Sequence, residues 1–71
     1  MSKWPSSKGR KVLHALLRIG YRVKARKRSS HVQLEHPQRG EYTWAFADSE
    51  ELGPKMLARI AKHTGLTPDD L

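Results

Sequence analysis

Two stretches with the 3.6-residue period of amphipathic helices enclose a central stretch in which apolar and polar residues alternate. The first helix is predicted over about residues 8–19, after a lead-in in which Ser6 or Ser7 is a candidate N-cap. The second begins at Pro54, because proline is favoured in the first turn of a helix. Gly20 and Gly65 stand where a glycine commonly ends a helix. A 3.6-residue period is typical of helices and a two-residue alternation is typical of strands, so the chain is predicted to be α+β.

Turn residues divide the alternating stretch into three predicted strands, over residues 21–26, 31–36 and 41–47. Each strand has one apolar side, and a hairpin-sized turn joins it to the next. The predicted architecture is therefore α-β-β-β-α, a three-stranded antiparallel sheet with two helices on one face. The other face is expected to be open to solvent.

Length and composition limit the kinds of site that this chain can contain. Its 71 residues are enough for one hydrophobic core, so a single domain over residues 1–71 is expected, with residues 1–7 as a lead-in. The absence of cysteine excludes disulfides, thiolate zinc sites and a cysteine nucleophile. The chain shows neither the apolar run of a signal peptide nor the roughly 20 apolar residues of a membrane span. A cytoplasmic protein without a membrane partner is expected.

The net charge of +7 is distributed unevenly along the chain. Residues 1–28 contain ten Lys or Arg and no acidic residue, whereas residues 29–71 contain four basic and seven acidic residues. Lysine and arginine that neutralise phosphates gain affinity by releasing counterions, so this gradient favours a nucleic-acid partner. The alternative is a solvated basic surface that only aids solubility. The strand alternation predicts that the open sheet face displays Arg22, Lys24 and Arg26 of the first strand beside His31, Gln33 and Glu35 of the second.

Several short motifs are similar to those of HicA-type (YcfA-like) toxins of bacterial and archaeal toxin–antitoxin pairs. They are Gly20-Tyr21, Arg28-Ser29-Ser30-His31-Val32, the segment LGPKMLARI at residues 52–60, and Thr64-Gly65-Leu66. The resemblance covers about residues 8–71. It implies a double-stranded-RNA-binding-domain-like fold, cleavage of mRNA without the ribosome, and inactivation by a HicB-like antitoxin. Ser30 and His31 match the Ser-His of the family signature, so the resemblance implies that His31 is catalytic.

The chain departs from the family pattern at four positions. Ser29 replaces the signature glycine, and Val32 replaces a frequent second histidine. Ala47 stands where many members have another histidine, and Lys55 replaces a glycine before the last helix. If the histidine at the position of Ala47 assists the chemistry in other members, that assistance is absent here.

Metal-independent RNA cleavage needs a base for the 2′-hydroxyl proton, positive charge at the phosphate and an acid for the leaving oxygen. Histidine suits the first task because it is partly neutral at physiological pH. Lys24, Arg26 or Arg28 are candidates for stabilising the developing charge. The acid is unassigned, since His36 lies on the same predicted strand as His31 but on its opposite side. The plainer interpretation of His31 is a surface histidine that only hydrogen-bonds a phosphate or a turn amide.

The remaining predictions concern ligands. The residues predicted to bind RNA are Arg22, Lys24, Arg26, Lys27, Arg28 and Ser30. No pair of histidines has the spacing of a metal site, and there is no glycine-rich phosphate loop, so no metal and no small-molecule cofactor is expected. Most of the aromatic residues occupy predicted core positions.

Two other functions remain open. One is a binding module of the same fold that grips structured RNA without cutting it. The other is a DNA-binding or protein-interaction domain. Sequence-specific DNA recognition is disfavoured because the first helix has few of the amides that read base edges.

Overall fold

The computed structural model describes residues 4–26 and 31–71. The elements follow in the order β1 (Ser7–Lys8), α1 (Gly9–Arg18), β2 (Arg22–Arg26), β3 (Val32–His36), β4 (Gly40–Trp44), β5 (Glu51–Leu52), α2 (Pro54–Thr64) and a 3₁₀ turn (Pro68–Asp70). Strands β2, β3 and β4 form an antiparallel sheet in that order, and β1 pairs with β5. The predicted α-β-β-β-α arrangement is confirmed. The β1–β5 pair was not predicted, because strands of two residues are too short to show an alternation.

Both helices pack on one face of the three-stranded sheet. Val32 and Leu34 of β3 and Trp44 of β4 are buried under the helices, as their alternation predicts, while Gln33 and Thr43 point to the other face. The buried apolar residues form one cluster, made of Val12, Ala15, Leu16, Tyr21, Val32, Leu34, Trp44, Leu52, Leu57, Ile60 and Leu66. The sheet is thus covered on one side only. Neither of these helices has the length and apolar character needed to cross a bilayer.

Backbone carbonyls cap the first turn of α1, in place of the serine side chain predicted for this role. The N–H of Gly9 donates to the carbonyl of Glu50 (2.8 Å), and that of Arg10 donates to the carbonyl of Asp48 (3.0 Å). Ser7 lies in β1, and the N-cap makes no side-chain hydrogen bond. The loop after β4 is therefore held against the start of α1, since it satisfies donors that a helix terminus leaves free.

His36 ties the end of α1 to the turn between β3 and β4. Its Nδ1 accepts the N–H of Gln38 (3.1 Å), so its Nε2 bears the proton that is donated to the Ile19 carbonyl (3.1 Å). The ring also packs on Tyr21, with centroids 4.9 Å apart. Gly20 makes this approach possible, because it has a φ of 116° and a Cβ there would lie 2.8 Å from the His36 Nε2.

The end of the chain follows the predicted pattern. Gly65 ends α2 with a left-handed φ of 78°, as expected for a C-terminal glycine. Thr67 and Asp70 form a reciprocal capping box around the 3₁₀ turn. Leu71 is partly buried against the core.

We predict that Gly20→Ala destabilises the fold by about 1–3 kcal/mol, because a side chain at this φ is strained and its Cβ would displace His36. Urea denaturation followed by circular dichroism measures the change. Gly53→Ser is the matched control, since Gly53 is the N-cap of α2, has a φ of −85° and has open space around it. The control should be as stable as the unchanged protein or more so. Equal stability of both variants would contradict the role assigned to Gly20.

Candidate functional site

The pairing of β2 with β3 is irregular in the middle of β2. Val23 lies opposite Leu34, and Ala25 lies opposite Gln33, so two steps along β2 correspond to one step along β3. Lys24 is the extra residue of a β-bulge. Because a shift by one residue moves every following side chain to the other face of a sheet, the alternation on β2 reverses at this point.

The bulge changes the position of Arg26. Arg26 lies opposite Val32, whose side chain is buried under the helices, and directly opposite residues share a face. The prediction that Arg26 shares the open face with Arg22 and Lys24 is therefore wrong. The prediction assumed that side chains alternate strictly along β2, and a bulge leaves no unambiguous signal in a single sequence.

A cleft of about 200 Å³ lies at the end of the sheet where Arg26 and Val32 are paired. Its lining residues come from α1, from the three strands and from the loop after β4: Leu13, Arg26, Val32, Trp44, Phe46, Ala47 and Asp48. His31 is exposed and immediately precedes Val32, so it lies at the same end of the sheet. A cavity of about 150 Å³ suffices for a benzene ring, so the cleft has room for one planar ring.

The two charged residues of the cleft have no charged partner in the described part of the chain. Within residues 4–26 and 31–71, the ion pairs are Lys8–Glu51 and Lys24–Glu41. Arg26 and Asp48 are both exposed and belong to neither pair. The Arg26 guanidinium is thus available to an anionic ligand at the end of the sheet where His31 lies.

The open sheet face carries a connected polar network. Lys24 forms an ion pair with Glu41, reaching across β3 to β4. The Gln33 Nε2 donates to the Glu41 Oε1 (3.1 Å), and the Thr43 hydroxyl donates to the Gln33 Oε1 (3.0 Å). The hydrogen bond and the negative charge of Glu41 raise the pKa of the Lys24 ammonium above its ordinary value. Lys24 is therefore engaged with a carboxylate of its own sheet.

Charges on the open sheet face balance. Its described strand residues include two cations, Arg22 and Lys24, and two carboxylates, Glu35 and Glu41. Arg22 lies directly opposite Glu35 in the pairing of β2 with β3. The prediction of a cationic open face is therefore wrong for the described strands, because the carboxylates of β3 and β4 offset the cations of β2. The remaining predicted RNA contacts Lys27, Arg28 and Ser30 lie outside the described residues.

The other histidines have separate environments. His36 uses both ring nitrogens within the fold, and five steps of extended chain separate it from His31, a distance of about 16 Å. It is therefore not an acid that acts together with His31. His63 stacks on Tyr42 with a centroid distance of 6.3 Å, and His14 is exposed on α1. No group of three or more acidic or histidine side chains suited to a metal ion occurs in residues 4–26 and 31–71.

The sequence proposes His31 and Arg26 as site residues, but it does not predict the cleft that Arg26 lines together with the loop after β4. Asp48 and Leu13 reach the cleft only because that loop caps α1, a contact between distant parts of the chain. No local pattern marks such a contact. The alternation identified the strands, but it could not place Asp48 beside Arg26.

Comparison with known proteins gives one match. A family model described as the HicA toxin of bacterial toxin–antitoxin systems matches residues 9–66. The searches of curated proteins and of solved structures returned no match. The matched range begins with α1, includes the sheet and the cleft, and extends beyond α2. Since this is well over half of the chain, the protein belongs to the HicA family of toxins, which act within toxin–antitoxin pairs.

Proposed function

We propose that this protein is a ribosome-independent mRNA endoribonuclease of the cytoplasm, with His31 as its general base, and that a HicB-like antitoxin holds it inactive. The observation that carries the proposal is that the exposed His31, immediately before β3, lies at the same end of the sheet as a cleft whose Arg26 has no ion-pair partner among the described residues. Family membership supports the toxin role and the existence of an antitoxin.

In the proposed reaction, His31 takes the proton of a ribose 2′-hydroxyl. The 2′-oxygen attacks the adjacent phosphorus, and the bond from phosphorus to the 5′-oxygen breaks. The products are a 2′,3′-cyclic phosphate and a 5′-hydroxyl, whose proton we assign to water because His36 is engaged elsewhere. Histidine is the side chain that most often serves as a general base, and its exposure leaves the His31 ring accessible to a ribose 2′-hydroxyl.

Arg26 is our candidate for stabilising the negative charge that develops on the phosphate. It lies across the strand pair from Val32, the residue next to His31, and its guanidinium can bind two phosphate oxygens at once. Lys24 is a weaker candidate because its ammonium pairs with Glu41. Contacts of Lys27, Arg28 and Ser30 with RNA stay predictions from the sequence, as does binding by Arg22.

A second function is favoured by one residue of the cleft. Ala47 lines the cleft at the position where the family pattern often has a histidine, so this cleft has one imidazole fewer. A protein that binds RNA without cutting it would tolerate that loss. Such a module would retain its RNA affinity when His31 is replaced.

We predict that His31→Ala lowers the rate of RNA cleavage by at least about 100-fold, the lower range for removing a general base. The measurement is gel analysis of a labelled single-stranded RNA incubated with antitoxin-free protein. An RNA with 2′-O-methyl groups throughout should not be cut by the unchanged protein. Equal cleavage by both proteins, or cleavage of the methylated RNA, would refute the proposed chemistry.

We predict that Arg26→Ala lowers kcat by about 10- to 100-fold, because it removes a cation next to the reacting phosphate. Arg22→Ala is the control: it removes the same charge from the same strand but from the open face, opposite Glu35. The control should change kcat by less than about threefold, as expected for a charge remote from the reaction. A larger loss in the control than in Arg26→Ala would place the reaction on the open face.

A further inference from the structure

The outer surfaces of α1 and α2 carry cations and no acidic residue. At 100° per residue, Arg10, Lys11 and Arg18 fall on an arc of about 100° that faces away from the buried side of α1. Lys55, Arg59 and Lys62 fall on a similar arc of α2. Because both helices pack on the same sheet face, the two arcs point away from the sheet together. We call these six residues the basic helix surface.

The charges of the basic helix surface are not neutralised within the described residues. Neither of the two ion pairs in residues 4–26 and 31–71 involves any of the six side chains. Arg18 donates a hydrogen bond to the backbone carbonyl of Asp70, which bears no net charge. The open sheet face, in contrast, has one carboxylate for each of its described cations. The unbalanced positive charge of the described chain therefore lies on the helix side.

We propose that the basic helix surface binds the phosphate backbone of RNA and does so without reading the base sequence. Neither helix contains Asn, Gln, Phe, Tyr or Trp, so neither offers the amides that pair with adenine edges or the large rings on which bases commonly stack. The deep, narrow major groove of an RNA helix keeps arginine and lysine from reading base edges there. Lysine and arginine on an exposed surface bind phosphates mainly by charge, with release of counterions. The surface therefore supplies affinity for any RNA, and the sequence preference must come from elsewhere.

RNA fits this surface better than a protein partner does. Protein interfaces have an apolar or aromatic centre from which charged residues are depleted. Here the exposed apolar side chains of the two helices are only Leu17, which is 37% exposed, Pro54 and Ala58. Six cations with so little apolar surface among them are complementary in charge to the phosphates of an RNA backbone. The proposal rests on the proposed function for the identity of the polyanion and for the role of this surface in holding substrate.

The test compares two double variants that remove the same charge from opposite sides of the protein. Arg59→Gln with Lys62→Gln alters the basic helix surface, and Arg22→Gln with Lys24→Gln alters the open sheet face. Both are made in the His31→Ala background, so that RNA is bound but not cut, and thermal unfolding confirms that each is folded. Fluorescence anisotropy then gives the Kd of a labelled 20-nucleotide RNA at several salt concentrations.

We expect the helix pair to weaken binding by about tenfold or more at low salt and to make the slope of log Kd against log salt shallower by about 1.4. The sheet pair should cause a smaller loss, and RNAs of different sequence should be affected alike. A second helix pair, Arg10→Gln with Lys11→Gln, should repeat the result on α1. Equal losses for the helix and sheet pairs, or a larger loss for the sheet pair, would overturn the proposal.

Two further outcomes separate this proposal from others. If the helix pair keeps full RNA affinity but loses binding to a purified antitoxin, the surface belongs to a protein partner and the proposal is wrong. If the protein with His31 intact does not cleave RNA, yet the helix pair still lowers RNA affinity, the proposed catalysis fails and the binding surface stands.

Discussion

The register of β2 against β3 determines which side chains lie on each face at the end of the sheet where His31 is found. The bulge at Lys24 divides β2 into two parts whose side chains alternate in opposite senses. Without it, Arg26 would lie on the open face with Arg22, and the cleft at the end of the sheet would have no cation. With it, Arg26 joins a cleft lined by Leu13 of α1 and Asp48 of the following loop. One extra residue in an edge strand thus brings positive charge to the helix side of the sheet.

The packing of both helices on one sheet face has a second electrostatic consequence. It buries the apolar arcs of α1 and α2, so that all their charged side chains face outward, and neither helix has an acidic residue to offset them. The bare face of the sheet is instead polar and balanced, with Gln33 linking Glu41 and Thr43. The protein therefore has a positive side and a neutral side. A substrate bound along the positive side would reach the cleft where α1 contributes Leu13.

The sequence predicted the elements well because their patterns are local. The helical period, the strand alternation, Gly65 and the capping box at Thr67 each depend on residues a few positions apart. The helical period does not say how wide the buried arc of α1 is: Ala15 is fully buried and Leu17 is 37% exposed because of how the helix lies on the sheet. The bulge at Lys24 was missed for the same reason. The register between two strands depends on their packing against the rest of the fold, and the residues of one strand do not specify it.

The sequence proposes two residues of the candidate site, His31 from the family resemblance and Arg26 from the basic segment, and their roles stay predictions. The structure adds the cleft that Arg26 lines. The electrostatic balance of the open face could not be foreseen, since it needs Glu41 of β4 to lie within reach of Lys24 of β2, two strands away. The net charge of residues 1–28 predicts a polyanion partner, but the distribution of charge along a chain does not say on which surface the cations collect. The surface on which the cations collect depends on which faces of the helices and strands are buried in the core.

The most direct test of this account is an NMR titration of the His31→Ala protein with single-stranded RNA. The account predicts that the largest shift changes occur at residues of the outer arcs of α1 and α2 and of the cleft, including Arg26 and Asp48. Residues at the centre of the open sheet face, such as Gln33 and Thr43, should change little. Changes confined to the open sheet face, with the helices unaffected, would contradict it.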